Sequence, residues 1–183
     1  MSSADTVLAP TPRALLAPGA ALSRFVPPAN LASAIAERKE ERVVRYGFRI
    51  GTLRLLVRPG TGSEVVEARG IAPLPNAPRW LAGMMNQRGT PVPVFDLSTA
   101  LDLPRSDDPE KTMVLLLDTG ERAVGVLING FPAALTDARP IGRPAGLPAR
   151  LAPFAPAALA TADLVWFEFQ HPDFFESLCH AAA

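Results

Sequence analysis

Residues Ile71–Leu97 read IAPLPNAPRWLAGMMNQRGTPVPVFDL. A proline-broken approach leads into an apolar run through Trp80, Leu81, Met84 and Met85, a turn at Arg88-Gly89-Thr90, and a second apolar run closing on Asp96-Leu97. That order of signals specifies a β-hairpin: Gly89 tolerates the positive φ that tight turns need, and Thr90 restarts extended chain. Arg88 then stands where the first strand gives way to the turn, so its charge is presented rather than buried. Pro91 and Pro93 share strand parity, and their missing N–H groups face one sheet edge, which cannot be a fully paired ladder. A bend or a partner is expected there.

Working outward, the same grammar recurs. Val44, Tyr46, Phe48 and Ile50 alternate with Val43, Arg45, Gly47 and Arg49, the period-two pattern of a half-buried strand. Gly51-Thr52 reverses the chain in a type II′ turn, and Leu53, Leu55 and Val57 supply the return. Glu64–Ala68 reads as another strand after the loop Pro59–Ser63, which lacks the Lys of a phosphate-binding loop. Asp96 or Ser98 is placed to cap a short helix containing Leu97 and Leu101. Met113–Leu117 and Ala123–Ile128 form a further hairpin around Asp118–Glu121. Six prolines between Phe131 and Pro156 predict an extended loop wrapping the domain. Leu164–Phe169 reads as a strand, and Pro172–Leu178 as a terminal helical turn burying Phe174, Phe175 or Leu178.

Fold class is therefore mainly β, with short helices. At 183 residues and 48% hydrophobic content the chain can build one substantial domain or two small subdomains around one core. Residues 1–42 form an Ala/Pro-rich extension with a short helix from Asn30, residues 43–178 the domain, and residues 179–183 a tail. Eighteen basic and eighteen acidic residues cancel, which argues against nucleic-acid binding driven by phosphate neutralisation and against a polybasic membrane anchor. A single cysteine fits a reducing compartment, and the absence of a leader-like or ~20-residue apolar run predicts a cytoplasmic protein without direct membrane insertion.

Candidate chemistry is sparse. Leu116-Leu117-Asp118-Thr119-Gly120 is similar to the catalytic loop of aspartic proteases, which needs two carboxylates and hence a dimer, and Glu121 adds bulk and like charge beside it. His171, Cys179 and His180 invite comparison with a nucleophilic or metal site, but adjacent residues rarely attain that geometry. Trp80 and Trp166 belong in strand-like runs and read as core. No catalytic set, metal set or cofactor motif emerges. Arg88 needs only to be presented to anchor a protein interface; against this stands its pairing with a nearby carboxylate such as Asp96.

Gly83, Asn86, Arg88-Gly89, Pro93 and Asp96-Leu97 together resemble the CheW-like family of bacterial chemotaxis adaptors. Tyr46–Gly51, Val65–Glu67 and Gly125–Phe131 are similar to other parts of that family. The resemblance implies two small five-stranded, Src-homology-like barrels sharing a hydrophobic core. It implies a non-catalytic, cofactor-free adaptor that couples the chemoreceptor cytoplasmic tip to the regulatory domain of a CheA-type histidine kinase. The partner-binding residues it implies are Arg88, Asn86 and Gly89, with Gln87 and Asn129, which depart from the family pattern, tuning the partner. The long extension is similar to adaptors of the pilus-type branch, PilI-like, which control twitching motility. An aspartic-protease-like enzyme using Asp118 and an unrelated interaction module stand as alternatives.

Overall fold

The computed structural model describes residues 44–104, 112–142, 146–162 and 164–181. The extension and the helix expected from Asn30 lie outside the described residues. The first hairpin forms as its alternation requires: β1 (Arg45–Ile50) and β2 (Leu53–Leu56) pair with Ile50 opposite Leu53 across Gly51-Thr52. Gly51 has φ +59° while Thr52 stays out of the left-handed region, the sign pattern of a II′ turn. Phe48 and Ile50 are buried, but Tyr46 on the same face is 54% exposed because β1 runs past the core at that end.

Nine further strands follow among the described residues: β3 (Ser63–Glu67), β4 (Leu81–Gln87), β5 (Thr90–Phe95), β6 (Thr112–Leu117), β7 (Val124–Asn129), β8 (Ala133–Leu135), β9 (Arg139–Ile141), β10 (Ala158–Thr161) and β11 (Leu164–Glu168). Helix α1 (Leu97–Ala100) lies after β5, and α2 (His171–His180) follows β11. One sheet has the order β8-β1-β2-β11-β10-β9 and the other β3-β6-β7-β5-β4. Most neighbours are antiparallel; β2 with β11 and β5 with β7 are parallel. The first sheet thus carries six strands where five were expected.

The region from Phe131 to Pro156 differs from the expected wrapping loop. It contains β8 and β9, which pair with β1 and β10, and a 3-10 turn at Ala152–Phe154. These strands are only three residues long, and β9 tolerates Pro140 because it lies at a sheet edge. α2 is likewise a ten-residue helix rather than a single turn.

Alternating strand faces divide the apolar residues among three clusters. In β2, Leu53 and Leu55 enter the large central cluster while Leu56 faces the interior of the first barrel. In β6, Leu115 and Leu117 enter the same central cluster while Val114 and Leu116 fill the second barrel with Met85, Val92 and Val94. The central cluster is therefore the layer shared by both barrels, as strand parity dictates. α2 closes it with Phe174, Phe175 and Leu178, each buried, and these rings pack edge-on against Phe169 and one another. Burial of a side chain of this size contributes about 1.5–3 kcal/mol, which fixes α2 firmly to the body. Inside the first barrel Trp166 packs over Gly47, where an added Cβ would lie 2.2 Å from the indole.

β5 lies inside its sheet, with β4 on one side and β7 on the other. Gln87 opposite Thr90 closes a two-residue turn, so Pro91 and Pro93 occupy the non-hydrogen-bonded pairs with Asn86 and Met84 and aim their N–H-less edge away from β4. On that side β7 pairs only with Val94 and Phe95. The ladder is incomplete where the prolines stand, as their parity predicts. No described helix is long and apolar enough to cross a membrane.

Candidate functional site: the Arg88 turn and its cavity

Arg88 and Gly89 form the turn between β4 and β5 with φ +50° and +89°, the signs of a type I′ turn, whose backbone twist matches that of paired strands. Asn-Gly or Gly-Gly is the usual solution there; a side chain as large as arginine in the left-handed region is uncommon. Asn86 steadies the turn by accepting a hydrogen bond from the Gly89 N–H at 2.8 Å through Oδ1. Arg88 is thrown outward, its side chain 78% exposed, and its Nη2 donates to Glu64 Oε1 at 2.8 Å. Glu64 is on β3, so this ion pair joins the two outermost strands of the second sheet.

The carboxylate facing Arg88 is thus Glu64 and not Asp96. Asp96 is only 5% exposed and is occupied as the cap of α1, accepting from the Thr99 N–H and from the Ser98 and Thr99 hydroxyls. A capping carboxylate at a helix N-terminus satisfies otherwise orphaned donors, and burial holds it there.

Beside the Arg88–Glu64 pair opens a cavity of about 390 Å³. Val92 and Leu116 give it an apolar floor, while Gln87, Arg88, Glu64 and Asp118 supply polar groups. It lies where the β5 edge lacks its ladder partner. An apolar floor with a few convergent polar groups is the general form of a recognition site. Gln87 and Arg88 line the cavity, whereas Asn86 and Gly89 belong to the adjoining turn and are not among its lining residues. Asn129 is not among the residues lining the cavity: its Oδ1 accepts from the Gly51 N–H at 2.6 Å, tying β7 to the β1–β2 turn.

Asp118 and His171, each weighed separately from sequence, meet. His171 Nε2–H donates to Asp118 Oδ2 at 2.8 Å, with the imidazole 3% exposed and the carboxylate 26%. The pairing spans 53 residues, so no local spacing announces it. The Asp118 carboxylate consequently faces a histidine, unlike the paired carboxylates of an aspartic protease. Cys179 is exposed on α2, and His180 lies 3.9 Å from Glu176. Among the described residues no three His, Cys, Asp or Glu side chains group as metal ligands.

The sequence model of the CheW-like domain matches residues 47–169, two-thirds of the chain and all of the cavity. The chain belongs to the CheW-like family. Relatives of this CheW-like domain include the chemotaxis protein CheW of Rhizobium meliloti, 26% identical over 89 residues, covering 49% of this chain and 57% of that one. Protein FrzA of Myxococcus xanthus is 32% identical over 84 residues, covering 46% of this chain and 52% of FrzA. The match spans about half the length of these curated relatives. The solved structure of the scaffolding protein CheW from Thermoanaerobacter tengcongensis superposes with a TM-score of 0.60 at 15% identity, over 70% of this chain and 84% of that one. At that identity the superposition speaks for the fold, and it is the two-barrel fold of CheW. The apolar layer shared by both barrels is how this CheW-like domain realises it.

Proposed function

We propose that this CheW-like chain is a non-catalytic chemosensory adaptor that couples the cytoplasmic tips of chemoreceptors to the regulatory domain of a CheA-type histidine kinase, and that Arg88 anchors a partner. The observation that carries the reading is the conformation of Arg88: a large, charged residue held at φ +50° and 78% exposed beside a cavity with an apolar floor. Unfavourable backbone conformations concentrate at functional sites, and exposed arginines over apolar pockets are frequent interface hot spots. The relatives' names, a chemotaxis CheW and FrzA, favour signalling over catalysis. Gln87, Asn86 and Gly89 shape the same surface, and Asn129 serves a second one at the β1–β2 turn.

The mechanism is binding. A partner segment that lays an apolar side chain over Val92 and Leu116 while offering a carboxylate to Arg88 exchanges one exposed ion pair for a desolvated one, and charge-assisted hydrogen bonds gain strength out of water. The pilus-type branch, with twitching motility as output, is our assignment within the family.

Affinity purification from the native cytosol with tagged wild type and Arg88→Ala tests the proposal. Recovery of a histidine kinase and chemoreceptors by wild type, with at least one lost in Arg88→Ala, is expected; loss of an anchor of on the order of 2 kcal/mol lowers affinity about 30-fold. A pilus-linked kinase among the recovered proteins is the branch-specific outcome. Equal recovery by both chains would remove Arg88 from the interface, and absence of any kinase or receptor would remove the adaptor reading.

A further inference from the structure

Asp118 contributes to the cavity wall in the left-handed backbone region, which aspartate tolerates better than most residues. Its φ is +63°, it follows the buried Leu117 of β6, and it precedes Thr119 in extended conformation and Gly120 at φ +65°. Two contacts hold it. Its N–H donates to Gly62 O at 2.8 Å, which secures the start of β3, and its carboxylate accepts from His171. Gly62, Asp118 and Gly120 all line the Arg88 cavity. Glu64, the partner of Arg88, is two residues beyond Gly62 on the same strand.

His171 is the first residue of α2, and α2 is anchored by Phe174, Phe175 and Leu178 in the layer between the barrels. The imidazole is therefore carried by a helix packed into the shared apolar layer. A carboxylate acceptor selects the tautomer with the proton on Nε2, so the contact has a defined direction. A buried histidine of this kind is expected to have a polar partner. Here that partner lines the cavity and is itself bonded through its N–H to Gly62.

We propose that His171 is a positioning residue for the Arg88 cavity: through Asp118 it holds the Gly62–Glu64 wall in the shape that receives the partner. The inference rests on the adaptor reading for its functional consequence, but the positioning itself is a property of the free protein. The chain of contacts runs from α2 through His171 and Asp118 to Gly62, and along β3 to Glu64 and Arg88. Each link is a hydrogen bond, an ion pair or a covalent connection.

Amide hydrogen exchange on the whole chain, with His171→Leu and His171→Gln beside wild type, tests the positioning. Leucine fills the buried site without a donor; glutamine keeps a side-chain N–H at a similar reach. The Asp118 amide is expected to exchange roughly 2- to 10-fold faster in His171→Leu, the range for losing one hydrogen bond, while the amide of Leu115 in mid-β6 keeps its wild-type rate. His171→Gln is expected to restore the Asp118 rate. Acceleration of Asp118 and Leu115 by the same factor would signify global destabilisation and overturn the proposal, as would an unchanged Asp118. Binding of the kinase regulatory domain and receptor fragment recovered with wild type is expected to fall in His171→Leu and return in His171→Gln. Altered exchange with unaltered binding overturns the link to recognition. Absence of any binding by wild type defeats the adaptor reading, and the exchange result still decides whether His171 positions the wall.

Discussion

Replacing Arg88 by asparagine separates what the turn needs from what the interface needs. The register Gln87 opposite Thr90 and the positive φ at both central residues call for a type I′ turn, for which Asn-Gly is among the preferred pairs. Holding arginine in the left-handed region costs about 1 kcal/mol relative to a residue at ease there. Against this, the substitution removes the ion pair to Glu64, but with 78% and 42% of the two side chains exposed, water screens it. Exposed pairs of this kind contribute about 0.2–1 kcal/mol. The two effects nearly cancel, and Arg88→Asn is expected to leave stability within about 0.5 kcal/mol of wild type or slightly above it. Partner affinity is expected to drop about 30-fold, the loss of an anchor of on the order of 2 kcal/mol. Urea unfolding followed by tryptophan fluorescence reads the first quantity, and titration calorimetry with the co-purified partner reads the second. A destabilisation beyond about 1 kcal/mol would mean that the ion pair is a structural clasp and that the strain argument is wrong. Unchanged affinity would mean that the strained arginine has no recognition role.

Two predictions concern the scaffold. Gly47→Ala places a methyl group 2.2 and 2.4 Å from two atoms of the buried Trp166 ring, and overpacking of this kind is expected to destabilise by about 1–3 kcal/mol; combination with Trp166→Leu, which removes those atoms, is expected to show a loss smaller than the sum of the single changes, as a double-mutant cycle in urea would record. Asp96→Ala strips α1 of its cap and leaves the Thr99 N–H and two hydroxyls without their acceptor, for an expected loss of about 1–3 kcal/mol in thermal unfolding.

The hairpins were legible because each carries its own instructions. Alternation from Tyr46 to Ile50, the Gly51-Thr52 reversal, the Arg88-Gly89 turn and the parity of Pro91 and Pro93 are all local, and the backbone follows them. Strands β8, β9 and β10 escaped notice for a physical reason. Ala133-Ala134-Leu135 and Ala158-Leu159-Ala160-Thr161 have little intrinsic strand preference, and Arg139-Pro140-Ile141 holds a residue that strands usually avoid. β8 is a strand because β1 offers it a ladder, β10 because β11 does, and β9 because β10 does, which is information held elsewhere in the chain. The site divides the same way. The presentation of Arg88 follows from its turn, whereas its pairing with Glu64 depends on the approach of two sheet edges, and the meeting of His171 with Asp118 depends on where α2 docks.

The nesting of one barrel inside the sequence of the other sets how far apart in the chain their strand partners lie. Strands β3 to β7 are consecutive and make up the second barrel entirely, so that a growing chain emerging from the ribosome holds everything that barrel needs by Asn129. The first barrel must wait: Leu55 of β2 finds its parallel neighbour only when Phe167 of β11 has been made. Until then β1 and β2 expose the apolar face that belongs to the shared layer, and the loop closure that joins them to β11 is the long-range, entropically slow step. A second barrel formed first would hold β1–β2 and β11 as its two flanking tethers, shortening a search across most of the chain to the docking of two arms on one body.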